Sequence, residues 1–374
     1  MPTVMHDVLI VGAGPAGATA AKLLADAGHS VQVLEAVKPS EKACGGWLSK
    51  LAGTMFPWVE RNAAALTDTP FAGLAFHSPD LKQTAEFHEK SRSGWLVDRA
   101  VFDAGLGKLA VASGAAISYK SRVARLAAGE EDVRVVTEDG REHVGKVLLA
   151  ADGAEGKIAE ISFRNRTPPA VMTGIGAVVK SKAPKLEKLF GKNRPLHLAL
   201  AWGGLNGYGY VYARKTAVSF GLLARNLSAA EAPARLKAFV EQMTAAGLLP
   251  DEAVPAPAGA IRRVPAGAAL ESDDQVGKRI LYLGDAGGFA GAVVGEGIFP
   301  AMWSARLAAE TVIDAFKAPK FQDALLGYKR RWRTEMAEHL RMPNTNMSFL
   351  LPLIFSNQQM TDRFAKAVLY GKNI

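Results

Sequence analysis

Three glycines and one glutamate near the N-terminus have the types and spacing that bind a dinucleotide. Gly12, Gly14 and Gly17 follow the apolar run VLIV, and the helix-forming stretch ATAAKLLADAG continues from them. Such glycines allow a tight turn, a close backbone approach to a pyrophosphate and close packing of the helix on the strand. Glu35 ends a second apolar run, near the spacing of ~20 residues expected for an acid on the ribose 2′-hydroxyl. The sequence therefore predicts a bound dinucleotide with an unphosphorylated ribose.

A second acid follows a predicted strand near residue 285. The run ILYL predicts that strand, Gly284 and Asp285 close it, and a glycine-rich turn leads into a helix that begins near Ile298. Asp285 and the helix N-terminus suit the polyol chain and another polar group of one long cofactor. The alternative interpretation is that Asp285 only caps a helix.

The chain has one cysteine, Cys44, which is followed by Gly45 and Gly46. A single cysteine excludes an internal disulfide and a cluster of cysteine ligands, so we predict no metal site. Cys44 is either a small thiol that only packs, or a group that donates a proton or holds a double bond. A thiolate here would need a positive neighbour that the sequence does not identify.

These residues need two modules to position them, and the composition allows both. The 374 residues, 49% of them hydrophobic, are enough for a nucleotide domain and a second domain. The segment VRVVTEDGREHVGKVLLAAD predicts a hairpin that returns a strand to the nucleotide sheet. We expect the nucleotide domain in residues 1–162 and 275–318, a substrate domain in 163–274 and a helical segment in 319–374. The predicted class is α/β, a Rossmann-like domain interleaved with an antiparallel sheet that one helix covers.

Five aromatic residues of the substrate domain could line an apolar pocket, or could be ordinary core. They are Trp202, Tyr208, Tyr210, Tyr212 and Phe220. The seven histidines match no catalytic motif, so we expect structural roles for them.

The net charge of +9 suggests anionic partners without choosing among them, and we predict no nucleic-acid partner. The basic run YKRRWRTEMAEHLR favours a solvated helix face. We identify no signal peptide and no bilayer-spanning segment, since MSFLLPLIF is short and contains Pro352. A cytoplasmic location is the default expectation. The tail after Asp323 either packs as a buried helix, caps the pocket or touches a membrane surface.

The order of the motifs resembles one family of FAD-dependent enzymes. The glycine loop, Arg99-x-x-x-Asp103, Asp152-Gly153 and Gly284-Asp285 are similar to those of aromatic hydroxylases, flavin halogenases and geranylgeranyl reductases. Within it, CGGWLS, the turn GEGI and the segment GYGYVYA most resemble the geranylgeranyl reductases. That branch has tryptophan and proline in a YxWxFP segment where this chain has Tyr210 and Ala213.

The resemblance implies FAD as cofactor and a set of residues around it. It places Glu35 on the adenosine ribose, Arg99 near the pyrophosphate and ribityl region, and Asp285 on the ribityl hydroxyls. It places the backbone from Gly295 through Glu296 and Gly297 to Ile298 at the flavin ring. The implied cofactor-binding residues are Gly12, Gly14, Pro15, Ala16, Gly17, Glu35, Ala36, Cys44, Gly45, Gly46, Arg99, Val123, Asp152, Gly153, Gly284, Asp285, Gly295, Gly297 and Ile298. The candidate catalytic residues are Cys44, Tyr208 and Tyr210.

The expected reaction is hydride transfer from reduced FAD to a double bond of an isoprenoid or similar hydrophobic substrate. The proton would come from water, a tyrosine of residues 208–212 or Cys44, and the electrons from NAD(P)H or a ferredoxin. The alternatives are a monooxygenase of an apolar molecule and a flavin-binding protein without turnover. No WxWxIP segment of the halogenases occurs, and Gly156 and Ile158 stand where the hydroxylases have serine and arginine. Quinone oxidoreductases with an iron–sulfur cluster need more cysteines than this chain has.

Overall fold

The computed structural model describes residues 4–162, 171–254, 261–342 and 347–373. Three sequence predictions therefore fall partly outside the described residues. They are the domain boundary at residue 163, the substrate domain 163–274, of which residues 255–260 are also outside, and the tail after Asp323, of which residues 343–346 are outside.

The described residues form strands and helices that are numbered in chain order. The strands are β1 (Met5–Val11), β2 (Val31–Glu35), β3 (Trp47–Ser49), β4 (Thr69–Phe71), β5 (Leu74–His77), β6 (Thr84–Phe87), β7 (Gly94–Leu96), β8 (Ala116–Tyr119), β9 (Val123–Ala128), β10 (Val133–Thr137), β11 (Glu142–Ala150), β12 (Met172–Lys180), β13 (Leu196–Leu200), β14 (Gly207–Ala213), β15 (Ala217–Ala224), β16 (Ile261–Val264), β17 (Val276–Gly277) and β18 (Ile280–Tyr282). The helices are α1 (Pro15–Asp26), α2 (Lys50–Met55), α3 (Pro57–Arg61), α4 (Ala63–Leu66), α5 (Arg99–Ala112), α6 (Ile158–Ser162), α7 (Ala183–Phe190), α8 (Ala232–Ala245), α9 (Ile298–Lys317), α10 (Phe321–Leu325), α11 (Gly327–Leu340), α12 (Met347–Ser356) and α13 (Gln358–Tyr370).

The first sheet is the nucleotide sheet that the sequence predicts. Its strands lie in the order β17-β18-β11-β1-β2-β8, and β1 is parallel to both β2 and β11. The antiparallel pair β10 and β11 is the predicted hairpin that returns a strand to this sheet. On β1, Val8 and Ile10 pack among α1, α9 and α11, whereas Leu9 and Val11 pack toward β9 and β10. Both faces of β1 are therefore covered, which explains its unbroken apolar run.

The second sheet has the order β16-β12-β15-β14-β13-β5-β6. The run from β16 to β13 is antiparallel, with α8 packed on one face, as the sequence predicts. The sheet as a whole is mixed, however, because β5 pairs parallel with β13. The β5–β6 hairpin comes from residues 74–87, so a segment between two nucleotide-sheet strands extends the second sheet.

Two of the five aromatic residues are ordinary core, which was one of the two interpretations of the sequence. Phe220 pairs with Val211, which alternates with the tyrosines of β14, so Phe220 faces α8. Trp202 packs edge-on to Phe239 at a ring distance of 5.1 Å and donates a hydrogen bond to Gln242. Both are core residues on the helix-covered face of the second sheet.

The basic helix α11 is amphipathic, as the sequence predicts. Tyr328, Trp332, Met336 and Leu340 recur every fourth residue and are buried. Its arginines lie on the other face, where Arg331 pairs with acids of α9. This charge run is a solvated helix face.

The C-terminal helices pack against the second sheet and the small sheet β3-β7-β4. Phe364 of α13 lies 5.2 Å from Phe76, ring to ring. On α12, Leu350 and Ile354 are buried, while Phe349 and Leu353 are exposed. Among the described helices, none combines the length and the apolar content that crossing a membrane requires.

Two buried histidines form a pair inside the second sheet. His77 Nε2 lies 3.0 Å from His197 Nδ1, and Thr84 Oγ1 lies 3.2 Å from the other ring nitrogen of His77. Burial lowers the pKa of His77 to about 4 and the pKa of His197 to about 3. Both rings are therefore neutral in the folded protein at pH 7.

We expect this pair to make the fold acid-sensitive. The unfolded chain takes up protons near pH 6.5, but the folded chain does so only near pH 3–4. Stability is thus fully present above about pH 6.5 and falls as the pH drops toward 4, by on the order of 3 kcal/mol for each histidine. In urea unfolding across this range, the double variant His77→Phe/His197→Phe should show a flatter pH dependence. The exposed control His88→Gln should keep the wild-type dependence, and equal slopes in all three proteins would contradict the assignment.

Candidate active site

The glycine loop joins β1 to α1 at a point where backbones nearly touch. Gly12 has φ +98°, and a Cβ on it would lie 2.3 Å from the Ala151 carbonyl oxygen. A Cβ on Gly17 would lie 1.9 Å from the Gly12 carbonyl oxygen. Any side chain at either place would push α1 or β11 away from β1.

The third glycine of the loop faces open space. No atom lies within 4 Å of the position that a Cβ of Gly14 would take. Gly14 is extended and precedes Pro15 and Ala16 at the start of α1, and no side chain among the described residues caps this helix. An uncapped helix N-terminus with free space before it suits a pyrophosphate. These residues therefore fit the phosphates of the predicted dinucleotide.

Glu35 stands at the end of β2, beside that loop. Its carboxylate accepts hydrogen bonds from the Ala13 N–H at 2.6 Å and from the Val37 N–H at 3.0 Å, so it also braces the turn around Ala36. The backbone carbonyl of Glu35 accepts from Ser121, two residues before Val123 begins β9. The structure thus brings Glu35, Ala36 and Val123 to one edge of the loop. Their contact with the adenosine half of FAD stays a prediction.

Arg99 starts α5 and forms a buried ionic cluster. It donates two hydrogen bonds of 3.0 Å to Asp103, whose side chain is only 2% exposed. Lys42 pairs with the same carboxylate at 2.8 Å. Two cations around one buried acid leave net positive charge at this point, which suits the pyrophosphate and ribityl region that the resemblance implies.

Asp285 lies between this cluster and the N-terminus of α9. A Cβ on Gly297, the residue before α9, would lie 3.3 Å from Asp285 Oδ1. Burial raises the pKa of Asp285 to about 6, although the charges of Arg99 and Lys42 act in the opposite direction. Gly284 packs against Ala16 of α1, since a Cβ there would lie 3.1 Å from the Ala16 Cβ. The two predicted cofactor-binding turns are therefore neighbours.

Asp152 and Gly153 end the strand β11 next to Gly12. The Asp152 carboxylate accepts from the Ile158 N–H at 2.9 Å, at the start of α6. A Cβ on Gly156 would lie 2.2 Å from the Asp152 carboxyl carbon. Gly156, which departs from the hydroxylase pattern, is thus the residue that lets Asp152 fold back onto the helix.

The path from the glycine loop past Arg99 and Asp285 ends in a cavity of about 130 Å³. Three of the segments that enclose it were predicted separately: residues 44–46, residues 295–298 and the tyrosines of β14. Strands β12, β15 and β16 also line it. The lining residues used below are Cys44, Ile175, Tyr208, Tyr210, Tyr212, Leu223, Arg262, Val264, Gly295, Glu296, Gly297 and Ile298. The redox end of a dinucleotide whose phosphates lie at α1 would reach this cavity.

The two glycines after Cys44 have steric reasons within the protein itself. A Cβ on Gly45 would lie 2.5 Å from the Tyr212 ring, and Gly46, with φ +74°, would place one 2.3 Å from the Val97 carbonyl oxygen. The Cys44 Sγ accepts a hydrogen bond of 3.4 Å from the Gly46 N–H. The Arg99 guanidinium lies near this sulfur, so it is the positive neighbour that the sequence could not identify.

The tyrosines of β14 share one face of the strand, with Tyr210 and Tyr212 5.0 Å apart ring to ring. Gly176 and Gly221, which face each other on β12 and β15, leave the room for Tyr210, since a Cβ on either would lie within 2.7 Å of its hydroxyl. Tyr208 donates a hydrogen bond of 2.5 Å to the Val294 carbonyl. Burial raises the pKa of all three phenols, so they are weaker acids than ordinary tyrosines.

Sequence reasoning missed two charged side chains of the candidate site, one at this cavity and one in the ionic cluster of Arg99. It placed only the backbone of Glu296 at the ring, but the carboxylate is buried and pairs with His339 at 3.0 Å. No sequence signal joins them, because the partners lie on different elements and their spacing matches no metal or catalytic motif. Lys42, which pairs with Asp103, was also missed, because no sequence motif marks a lysine at this position as part of a cofactor site.

Comparison with known proteins gives a consistent result. The family model described as FAD binding domain matches residues 5–48. Digeranylgeranylglycerophospholipid reductase of Methanocaldococcus jannaschii is 26% identical over 90% of this chain and 84% of its own length. A geranylgeranyl bacteriochlorophyll reductase-like protein from Thermoplasma acidophilum superimposes with a TM-score of 0.78 at 17% identity, covering 99% of this chain and 98% of its own.

This chain is an FAD-dependent oxidoreductase similar to the geranylgeranyl reductases. A variant of halogenase PltM in complex with FAD shares the fold of this flavoprotein, with a TM-score of 0.69 at 15% identity over 90% of this chain and 74% of the halogenase. The match of the FAD binding domain model to residues 5–48 identifies the dinucleotide predicted at the glycine loop as FAD.

Replacing Gly14 with valine should abolish FAD binding. The folded chain has room for the new side chain, but that side chain would occupy the space of the pyrophosphate, so we expect affinity to fall ~10²-fold or more. Gly327→Val is a matched control, because Gly327 also faces open space but starts the distant helix α11. Flavin absorbance after gel filtration measures both. A well-folded Gly14→Val protein with full flavin content would contradict the assignment of the loop.

Proposed function

We propose that this flavoprotein reduces a carbon–carbon double bond of an isoprenoid or similar apolar substrate. The observation that carries the proposal is the cavity, in which the Cys44 turn, the turn at residues 295–298 and the tyrosines of β14 meet. The names of the relatives, a digeranylgeranylglycerophospholipid reductase and a geranylgeranyl reductase-like protein, support the substrate class.

The size and lining of the cavity suit one unit of a longer apolar chain. Its volume of about 130 Å³ is close to that of engineered apolar cavities of roughly 150 Å³ that hold a benzene molecule. Leu223, Val264 and Ile175 supply aliphatic walls beside the tyrosine rings. We therefore infer that the reacting double bond enters this space while the rest of the substrate lies outside it.

When bound, FAD supplies the hydride, and the chain's own residues supply position and a water-poor site. The tilted rings of Tyr208, Tyr210 and Tyr212 give the double bond an apolar wall. Cys44 lines the cavity beside these rings, so we assign it to holding the double bond in place.

Anaerobic turnover tests the proposed reaction. With chemically reduced enzyme and a short polyprenyl alcohol or phospholipid as substrate, the flavin should be reoxidised without oxygen, and the product mass should rise by two hydrogens. A reaction that requires air and adds an oxygen atom would instead identify a monooxygenase. Gly14→Val, which should lack FAD, is the background control.

Replacing Cys44 should slow substrate reduction while FAD stays bound. We expect a decrease of ~10-fold to 10²-fold for Cys44→Ala in anaerobic stopped-flow reoxidation, because a misplaced double bond meets the hydride donor less often. Cys44→Ser keeps the size of the side chain and should recover part of the rate. If the serine variant were as slow as the alanine variant, the thiol would be the proton donor, and an unchanged alanine rate would leave Cys44 as packing.

A further inference from the structure

The turn that faces the cavity carries a buried carboxylate. Glu296 lies between Gly295, which has φ +60°, and Gly297, which caps α9. Its side chain is 3% exposed, and its Oε2 accepts a hydrogen bond of 3.0 Å from His339 Nε2. Among the described residues, none donates a hydrogen bond to its second oxygen, Oε1. A buried carboxylate oxygen without a partner is costly, so it indicates a role beyond packing.

The surroundings of His339 raise the pKa of its imidazole. One ring nitrogen donates to Glu296, and the imidazole also hydrogen-bonds the backbone of Tyr370. Burial alone would lower the pKa of His339, but the hydrogen bond and the charge of Glu296 outweigh it, so the pKa is raised. Edge-on contacts with Phe299 and Trp303 fix the ring. His339 binds one carboxylate oxygen of Glu296, and the second oxygen, Oε1, has no hydrogen-bond donor among the described residues. Oε1 is therefore the atom that can accept one more proton.

The pair lies at the end of the cofactor path. Glu296 lines the cavity, its neighbour Gly297 packs against Asp285, and the charges of Arg99 and Lys42 act on Asp285. FAD with its phosphates at α1 would therefore bring its redox-active ring next to Glu296. Two-electron reduction at neutral pH leaves that ring negatively charged. Like charges repel strongly in a water-poor site.

We propose that Glu296, held by His339, takes up a proton when the bound flavin is reduced and gives that proton to the substrate. The uptake depends only on FAD, whereas the delivery step rests on the proposed function.

The steps balance as follows. Reduced nicotinamide or reduced ferredoxin would supply two electrons to bound FAD, which would gain one proton with them, and the Glu296 carboxylate would take a second proton from solvent. One alkene carbon then receives the hydride of the reduced flavin, and the other receives the proton of the Glu296 carboxyl. The double bond becomes a single bond, FAD returns to its oxidised form, and Glu296 returns to the carboxylate paired with His339.

Other titratable or charged groups face Glu296 from the surrounding elements. Among the described residues they are His339 on α11, Tyr208 on β14, Asp285 beside Gly297, and Cys44, Tyr210, Tyr212 and Arg262 around the cavity. The three phenols keep their protons through the neutral range because burial raises each pKa. Glu296 is thus the carboxylate of the cavity wall that already has a proton-bearing partner.

The reduction potential of the holoenzyme, measured against pH, tests the uptake. We expect the wild type to take up two protons for two electrons around neutral pH, and Glu296→Gln to take up one, which halves the slope of potential against pH. Glu310→Gln is the matched control, because Glu310 is an ion-paired but half-exposed acid on α9, the helix that follows the turn of Glu296. It should keep the wild-type slope. A Glu296→Gln slope equal to that of the wild type would overturn the proposal.

His339→Gln gives a second test that leaves Glu296 in place. Without His339 as its partner, Glu296 should hold its proton more readily. The break, which is the pH at which the slope of potential against pH changes from two protons to one, should therefore move to a higher value. If Glu296→Gln failed to fold or lost FAD, an unmoved break in His339→Gln would overturn the proposal by itself.

The delivery step is measured separately. In anaerobic stopped flow, Glu296→Gln should slow flavin reoxidation by an alkene ~10²-fold. If the wild type reduced no alkene but the slope still halved in Glu296→Gln, the substrate proposal would fail and the proton uptake would stand. If the wild type reduced an alkene but Glu296→Gln kept the wild-type slope of potential against pH, only the proposed proton uptake would be overturned.

Discussion

The close contact of three backbones at the glycine loop determines where every other part of the site lies. Gly12 touches the end of β11 at Ala151, and Gly17 brings α1 against Gly12 itself. Because no side chain fits between them, the end of the nucleotide sheet and the start of α1 form one rigid edge. Gly284 then rests on Ala16 of the same helix, so the turn that carries Asp285 takes its position from this contact.

Hydrogen bonds, in addition to apolar packing, hold the second sheet against that edge. Arg214, just after β14, donates to Asp98 at 2.7 Å, and Asp98 caps the helix that starts with Arg99. At the other end of the cavity, Tyr208 donates to Val294, just before the turn of Glu296. The strand that carries the tyrosines is thus anchored to both cofactor-facing turns. A shift of this sheet would disturb the cation beside Cys44 and the carboxylate beside His339 together.

Local patterns in the sequence predicted the parts of this arrangement that depend on neighbouring residues. The glycine loop, the acid after β2, the returning hairpin and the helix at Ile298 each follow from periodicity and turn residues within one short segment. Which face of a strand meets the cavity could not be predicted, because Phe220 and Tyr210 both alternate in apolar strands. The ion pair of Glu296 and His339 was hidden for another reason. It depends on how α11 packs on α9, and no local spacing encodes that packing.

The end of α13 contributes backbone rather than side-chain chemistry to the centre of the molecule. Tyr370 hydrogen-bonds His339 through its backbone, and Gly371, with φ +64°, leaves no room for a side chain because a Cβ would lie 2.4 Å from His339 Nδ1. The Tyr370 hydroxyl meanwhile binds Glu89, beside the small sheet. During synthesis the nucleotide sheet and its glycine loop can form while these residues are still inside the ribosome. The cavity wall behind Glu296 is completed only after residues 370 and 371 have emerged, so this wall assembles later than the nucleotide sheet.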